Sequence, residues 1–245
     1  MNLEEKISYY KKYKNKVKEG ILDQYQNEFK VTFTHDSTAI EGNTLTQEEV
    51  RKLLAVNTQP KERNLIEINE VVNHKRAYDY SLQCISENKG LDSEIVKDIH
   101  EILMENILPG GIYRNVNVYI TGANHEPPNS RELHDQMRFF YYALQNKDFK
   151  DAIEKAAYTH AEFVRIHPFI DGNGRTSRII MNYQLIKSGL LPISIPKKDK
   201  FIYFKALDDY ASTGEVTELK KLMETLEEKE LDKYIQMIKR ITSKV

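Results

Sequence analysis

Residues 167 to 178, HPFIDGNGRTSR, place a histidine, an acid, a Gly-Asn-Gly turn and two arginines within one short stretch. Gly172 and Gly174 let the backbone approach a bound group closely, and a helix opening at this turn presents unpaired N–H groups and its dipole to an anion. Arg175 and Arg178 lie three apart on that helix, so they share a face and can reach successive phosphates. Two guanidiniums suit a polyphosphate. Such a ligand usually brings Mg²⁺, a cation often held by only one or two protein carboxylates, and Asp171 is placed to supply one. The near-neutral imidazole of His167 is the candidate base for a hydroxyl that attacks phosphorus. Pro168 and Phe169 shape and anchor the loop.

The elements that must carry this loop read mostly as helix. Apolar residues at three- and four-residue spacing predict helices over about residues 3–28, 62–87, 92–108, 130–146, 149–166, 174–188, 199–212, 216–229 and 231–242. A shorter helix over about 29–42 ends at Gly42, and Thr46 with Glu49 forms a capping box for another running to about Val56. The loop NTQPKERN, residues 57–64, follows. From Ile112 the sequence instead alternates apolar and polar residues through Val116, Val118 and Ile120, turns at Thr121-Gly122 and ends in Pro127-Pro128, which predicts a β-hairpin. No repeat, low-complexity tract or composition shift divides the chain. The expectation is one mainly α domain, a helical bundle with a small hairpin, made of an N-terminal helical region (1–60), a core (61–215) and C-terminal helices (216–245).

Composition narrows the function further. The 245 residues are 40% hydrophobic and 30% charged with a net charge of -1, enough for a real core and without the basic footprint of a nucleic-acid binder. Cys84 is the only cysteine, which excludes an intrachain disulfide and a cysteine-rich zinc site. The charged N-terminus lacks a secretory core, and no apolar run approaches the roughly 18 residues of a membrane span, so a cytoplasmic protein is expected. His35, His74, His100, His125, His134 and His160 form no HExxH or other metal spacing, and neither GxxxxGK(S/T) nor GxGxxG occurs.

The stretch 167–178 resembles the signature of Fic-domain proteins, HPFx(D/E)GN(G/K)Rxx(R), at every specified position. Supporting similarity runs from about Leu91 to Leu191 and includes GIYRNVNVYITGANHEPPN, similar to the family's flap hairpin, and AAYTHAEFVRIHPF, similar to the helix entering the loop. The resemblance implies transfer of AMP from ATP to a Ser, Thr or Tyr hydroxyl of a protein. It implies His167 as base, Asp171 as Mg²⁺ ligand, and Asn173 with the Gly172 and Gly174 amides on the α- and β-phosphates. Arg175 would take the β-phosphate and Arg178 the γ-phosphate. Glycine at 174, where a phosphorylating branch has lysine, implies adenylylation. Candidates for the adenine pocket are Tyr203, Phe204 and Tyr210 with Val118 or Ile120, and the asparagine that family members often carry near position 211 is missing. Strand addition along Val116, Val118 and Ile120 would dock the target backbone, with His125 a loop or target-contact residue. Family members often dimerise, and Tyr9, Tyr10 and Phe139 to Tyr142 are candidates for an interface or the core.

STAIEG, Ser37 to Gly42, resembles the family's inhibitory helix, (S/T)xxxE(G/N), placed N-terminal to the loop as in its class II. Ser37 and Glu41, four apart, share a helix face, and a Glu41–Arg178 pair would take the arginine a γ-phosphate needs. ATP could then bind with its α-phosphorus misaligned for attack. The same glutamate permits the reverse chemistry, removal of AMP from a modified protein. A regulatory module that holds a nucleotide without transfer is the remaining alternative, although pure binding needs no base at His167.

Overall fold

The computed structural model describes residues 1–17, 19–56, 63–120 and 122–242. Residues 57–62 of the loop expected at 57–64, Lys18 of the helix expected at 3–28, Thr121 of the expected turn and residues 243–245 lie outside the described residues. In chain order the α-helices are α1 (Leu3–Tyr13), α2 (Glu19–Ile40), α3 (Gln47–Val56), α4 (Leu65–Ser86), α5 (Ser93–Met104) and α6 (Leu133–Asn146). They continue with α7 (Ala152–Ile166), α8 (Asn173–Lys187), α9 (Lys200–Thr213) and α10 (Thr217–Thr242).

Local signals explain several helix starts. The Asp92 carboxylate accepts the Ile95 N–H at 2.9 Å and opens α5, and the Asp151 carboxylate accepts the Glu154 N–H at 2.8 Å and opens α7. Thr46 and Glu49 exchange the two bonds of a capping box before α3. Gly42, with φ +112°, ends the turn that follows α2 in a conformation open to glycine. The central element is α8, buried along most of its length and packed against α7, α4, α5 and α2. Its buried polar groups are bonded: Thr176 Oγ1 donates to Gly172 O, and Asn182 exchanges two bonds with the Ile193 backbone. One apolar core lies between α8 and α4 to α7, and a second, containing Ile40 and Met181, lies under α9 and the start of α10. No helix among the described residues is long and apolar enough to cross a membrane.

Three expectations need correction. The helix expected at 3–28 breaks after Tyr13 into a 3₁₀ turn, Lys14–Lys16, and the segment expected to begin a new helix at 29 instead continues α2 from Glu19. β-branched residues such as Val31, Thr32 and Thr34 lower helix propensity only slightly, and burial of Phe29, Val31 and Phe33 outweighs that cost. The two C-terminal helices are one, α10, since neither glycine nor proline interrupts 217–242.

The third correction concerns the flap. No strand occurs among the described residues, so the β-hairpin around Val116, Val118 and Ile120 is absent as a ladder. The alternation survives only over 117–120, with Val118 and Ile120 partly buried and Tyr119 exposed, while Val116, expected on the buried side, is exposed. Pro127 and Pro128 have no N–H to give a partner strand, and an isolated two-stranded hairpin is marginal in water. The limbs are tied by side chains instead: Arg114 donates to Val116 O and Pro128 O, and Asn117 Oδ1 accepts the Ser130 N–H.

Candidate active site

His167 ends α7 in the left-handed region, φ +52°, unusual for a residue with a side chain. That turn brings its ring out of the helix beside the loop. Its Nδ1 lies 3.4 Å from Val164 O, so a proton held there leaves the Nε2 lone pair free. Burial pushes the His167 pKa down to about 4, which keeps the ring neutral near pH 7 and able to accept a proton.

The loop is closed from within. Asn173 accepts the Phe169 N–H and donates to Phe169 O, both at 2.9 Å, so its amide is engaged inside the loop and outward N–H contacts fall to the backbone. Gly172 has φ +75°, and a Cβ there would press on Met104 Sδ and His100 Nε2. His100 fixes this wall. The Gly111 N–H donates to its Nδ1 and its Nε2–H donates to Asp171 O, each at 2.9 Å, which sets one neutral tautomer. Its ring stacks on Phe169 at 3.5 Å between centroids. Arg114, also buried, donates from Nε to His167 O at 2.8 Å and joins the end of α7 to the flap. His100 falls in no metal spacing and Arg114 in no motif, so neither role carries a signal in the sequence.

Arg178 is fully buried. Its Nη2 donates to Glu41 Oε1 at 2.6 Å and to Ser37 O at 2.8 Å, its Nε donates to Ser37 Oγ at 2.9 Å, and Nη1 lies 3.4 Å from the Tyr203 hydroxyl. Burial alone would lower its pKa, but Glu41 and Tyr203 hold it above the ordinary value. The Glu41 carboxylate also covers the start of α8, since a Cβ on Gly174 would collide with Glu41 Oε1. An acidic group thus occupies the place where the turn and helix dipole favour an anion. The Glu41 side chain is 34% exposed against 1% for Arg178, so the carboxylate is the partner that solvent or a ligand can reach.

Arg175 is held differently. Its Nη1 donates to Glu70 Oε1 of α4 at 2.8 Å, and its Nη2 lies 3.4 Å from Asp171 Oδ2. Glu70 Oε2 accepts from Asn43, two residues beyond Glu41, so one carboxylate bridges the loop arginine and the segment after α2. Glu70 lies far from the motif in sequence, and nothing local marks it. Asp171 accepts the Gly172 N–H at 2.6 Å and leaves its other oxygen in a side chain 53% exposed. Among the described residues no group of three or more His, Cys, Asp or Glu is close enough to hold a metal. A single open carboxylate still fits an ion that arrives on phosphates.

The aromatics expected around adenine separate. Tyr203 and Tyr210 are buried, their hydroxyls bonded to His160 at 2.8 Å and Glu162 at 2.7 Å. Phe204 and Ile120 come together in the wall of a cavity of about 150 Å³ with His125, Val164, Leu207 and Asp208, while Val118 is not in that wall. Asn124 of the flap donates to Asp208 of α9 at 3.0 Å and fixes one side of this cavity.

The helical arrangement around this loop defines a Fic fold. The structure is similar to a Fic domain containing signaling protein from Bacteroides thetaiotaomicron, with a TM-score of 0.89, 22% identity and 98% of each chain covered. It is also similar to Fic-1 from C. elegans, with a TM-score of 0.79, 23% identity, and 97% of this chain and 73% of that one covered. Residues 90–185 match the Fic/DOC family, so the chain carries a Fic domain. In sequence it is 31% identical over 205 residues to a protein adenylyltransferase Fic of Drosophila persimilis, covering 82% of this chain and 40% of that protein. A protein adenylyltransferase Fic of Nematostella vectensis is 31% identical over 206 residues, 82% of this chain and 48% of its own length. The chain thus spans less than half of these curated relatives.

Proposed function

We propose that the chain is a protein adenylyltransferase that moves AMP from ATP to a hydroxyl of a target protein and is restrained by its own Glu41. The observation that carries this is a neutral, partly accessible imidazole next to an anion-binding turn whose place is taken by an acidic side chain. The relatives' printed names support the same activity.

His167 Nε2 takes the proton of the target hydroxyl as its oxygen attacks the α-phosphorus, and pyrophosphate leaves. The N–H groups at the start of α8 and the two arginines hold the phosphates. Asp171 would hold a Mg²⁺ carried by the phosphates, which would neutralise charge building on the leaving group. The nucleobase would enter the cavity under the flap between Ile120 and Phe204, and the target backbone would lie along Val116, Val118 and Ile120. With no strand formed there, docking would order the flap as it adds the target strand.

In the resting state Glu41 occupies Arg178, so a γ-phosphate must displace it or bind elsewhere with the α-phosphorus out of line. Incubation of the Glu41→Gly form with a target-rich extract whose own kinases have been inactivated by heat, and with ATP labelled at either the α- or the γ-phosphate, tests the chemistry. Label from the α position alone is expected. Label from the γ position would mean phosphoryl transfer, and label from neither, with AMP released from a pre-adenylylated protein, would favour the reverse reaction.

A further inference from the structure

Beside the far end of α8, where Ile186 lies, a cavity of about 140 Å³ opens between α1, α2, α4 and α10. Its walls are strongly aromatic: Tyr10, Tyr25, Phe29, Tyr78 and Tyr234 all border it. Tyr234 meets Tyr10 and Tyr25 edge-on, with ring centroids 5.0 and 5.2 Å apart. This volume is close to that of an engineered cavity of about 150 Å³ that admits benzene, so the space suits a body of one ring and excludes a nucleotide.

The polar lining stands in one place. Apart from the tyrosine hydroxyls, Gln26 and Lys30 are the wall's only polar side chains among the described residues, and they lie one turn apart on α2. Gln26 is exposed and the Lys30 side chain is 23% exposed, so they form the mouth, while Tyr78 and Tyr234 are buried. Lys30 Nζ lies 2.7 Å from Asp79 Oδ1, but Asp79 Oδ2 also accepts from Lys75 at 2.5 Å. Two ammoniums share one carboxylate, which leaves one positive charge over. An ammonium has three N–H donors, so Lys30 can keep Asp79 and still bond a second anion. Lys30 also borders an open groove, where Glu28 is held by Arg51 at 2.5 Å and Asp23 lies about two turns away along α2. Glu230 of α10 lies outside the cavity wall and is engaged by the Tyr25 hydroxyl at 3.2 Å and by Lys233 at 2.5 Å.

We propose that this cavity binds a small aromatic carboxylate, its single ring among the tyrosines and its carboxylate at the mouth on Lys30 and Gln26. An organic ammonium would meet the charge that Lys30 and Lys75 leave over. A neutral aromatic would fill the space but leave that charge unanswered. Phe29 and Lys30 lie on α2, the helix that leads to Ser37 and Glu41, yet the proposal stands without any transfer activity.

Calorimetric titration of the full chain with 3-phenylpropanoate, set against its uncharged amide 3-phenylpropanamide, tests it. The carboxylate is expected to bind at least about fivefold more tightly at low salt, with the preference shrinking in about 1 M sodium chloride. Lys30→Met leaves Asp79 its pair with Lys75 and should bring the two ligands level. Leu22→Phe, which narrows the cavity, should weaken both while the far-ultraviolet circular dichroism stays native. Should Leu22→Phe not fold, the parent and Lys30→Met results still decide. Equal binding of both ligands by the parent would mean an apolar cavity only, and no binding of the carboxylate would mean a packing void. A preference that survives Lys30→Met would put the carboxylate elsewhere. Each of these results overturns the proposal.

Discussion

Replacing Glu41 by alanine should destabilise the ligand-free protein and make it depend on nucleotide for its stability. Among the described residues Glu41 is the only carboxylate bonded to the buried Arg178 guanidinium, and Ser37 and Tyr203 supply neutral partners. Removing one partner of a buried pair costs about 3–5 kcal/mol. Here a third of the carboxylate side chain is open to water, which screens the pair, so about 1–3 kcal/mol is the reasonable loss. For a chain of this size each kcal/mol shifts the melting temperature by about 2–4 °C, giving a fall of about 2–12 °C. A γ-phosphate at Arg178 replaces the lost charge, so ATP should raise the variant's melting temperature more than the parent's, and more than ADP does. Thermal scans with Mg²⁺ and each nucleotide, all in a His167→Ala background to prevent turnover, measure this. A variant as stable as the parent, with equal responses to ATP and ADP, would refute the idea that Glu41 and a phosphate compete for one arginine.

Other expectations follow from the same contacts. Arg114→Ala orphans carbonyls at His167, Val116 and Pro128, so it should cost about 2–4 kcal/mol and speed proteolysis within 115–127; an unchanged cleavage rate would contradict the clamp. Glu70→Ala leaves Arg175 buried with only a distant contact to Asp171 and should cost about 2–4 kcal/mol, with Glu70→Gln milder, as read from denaturant midpoints. Burial holds the His160 pKa down to about 3 and that of His167 down to about 4, below the roughly 6.5 of an unfolded chain. Between those values the unfolded state binds more protons, so stability is full above about pH 6.5 and is lost as pH falls toward 3–4. Transfer that depends on neutral His167 should likewise persist below pH 6.5, and a rate that halves near pH 6.5 would mean the imidazole is solvated like a free one.

The loop was readable because its requirements are local. Glycine at 172, an acid at 171 and arginines three apart depend on one turn and one helix face, and the structure places them on α8 and its entry. The same holds for the capping box at Thr46 and Glu49. The Glu41–Arg178 contact joins residues 137 apart, and it was legible only because both carry a recognisable pattern. Glu70 and Arg114 carry none, since their partners are an arginine 105 residues away and bare carbonyls. Tyr203 is a candidate for the adenine pocket only through the family resemblance and its place on the helix after the loop, but its hydroxyl is engaged by His160 and Arg178 in the core. The flap misled for a different reason. Alternation reports which side chains are partly buried, and here that burial comes from packing on α7 and α9 instead of from a strand ladder.

The most direct test of the restrained-transferase reading uses α-labelled ATP with Mg²⁺ and three purified forms: the parent chain, Glu41→Gly, and Glu41→Gly with His167→Ala. Label on the Glu41→Gly protein alone is expected, which would tie transfer to His167 and restraint to Glu41 in a single gel. Equal labelling of the parent and Glu41→Gly would contradict the restraint, and labelling that survives His167→Ala would contradict the base.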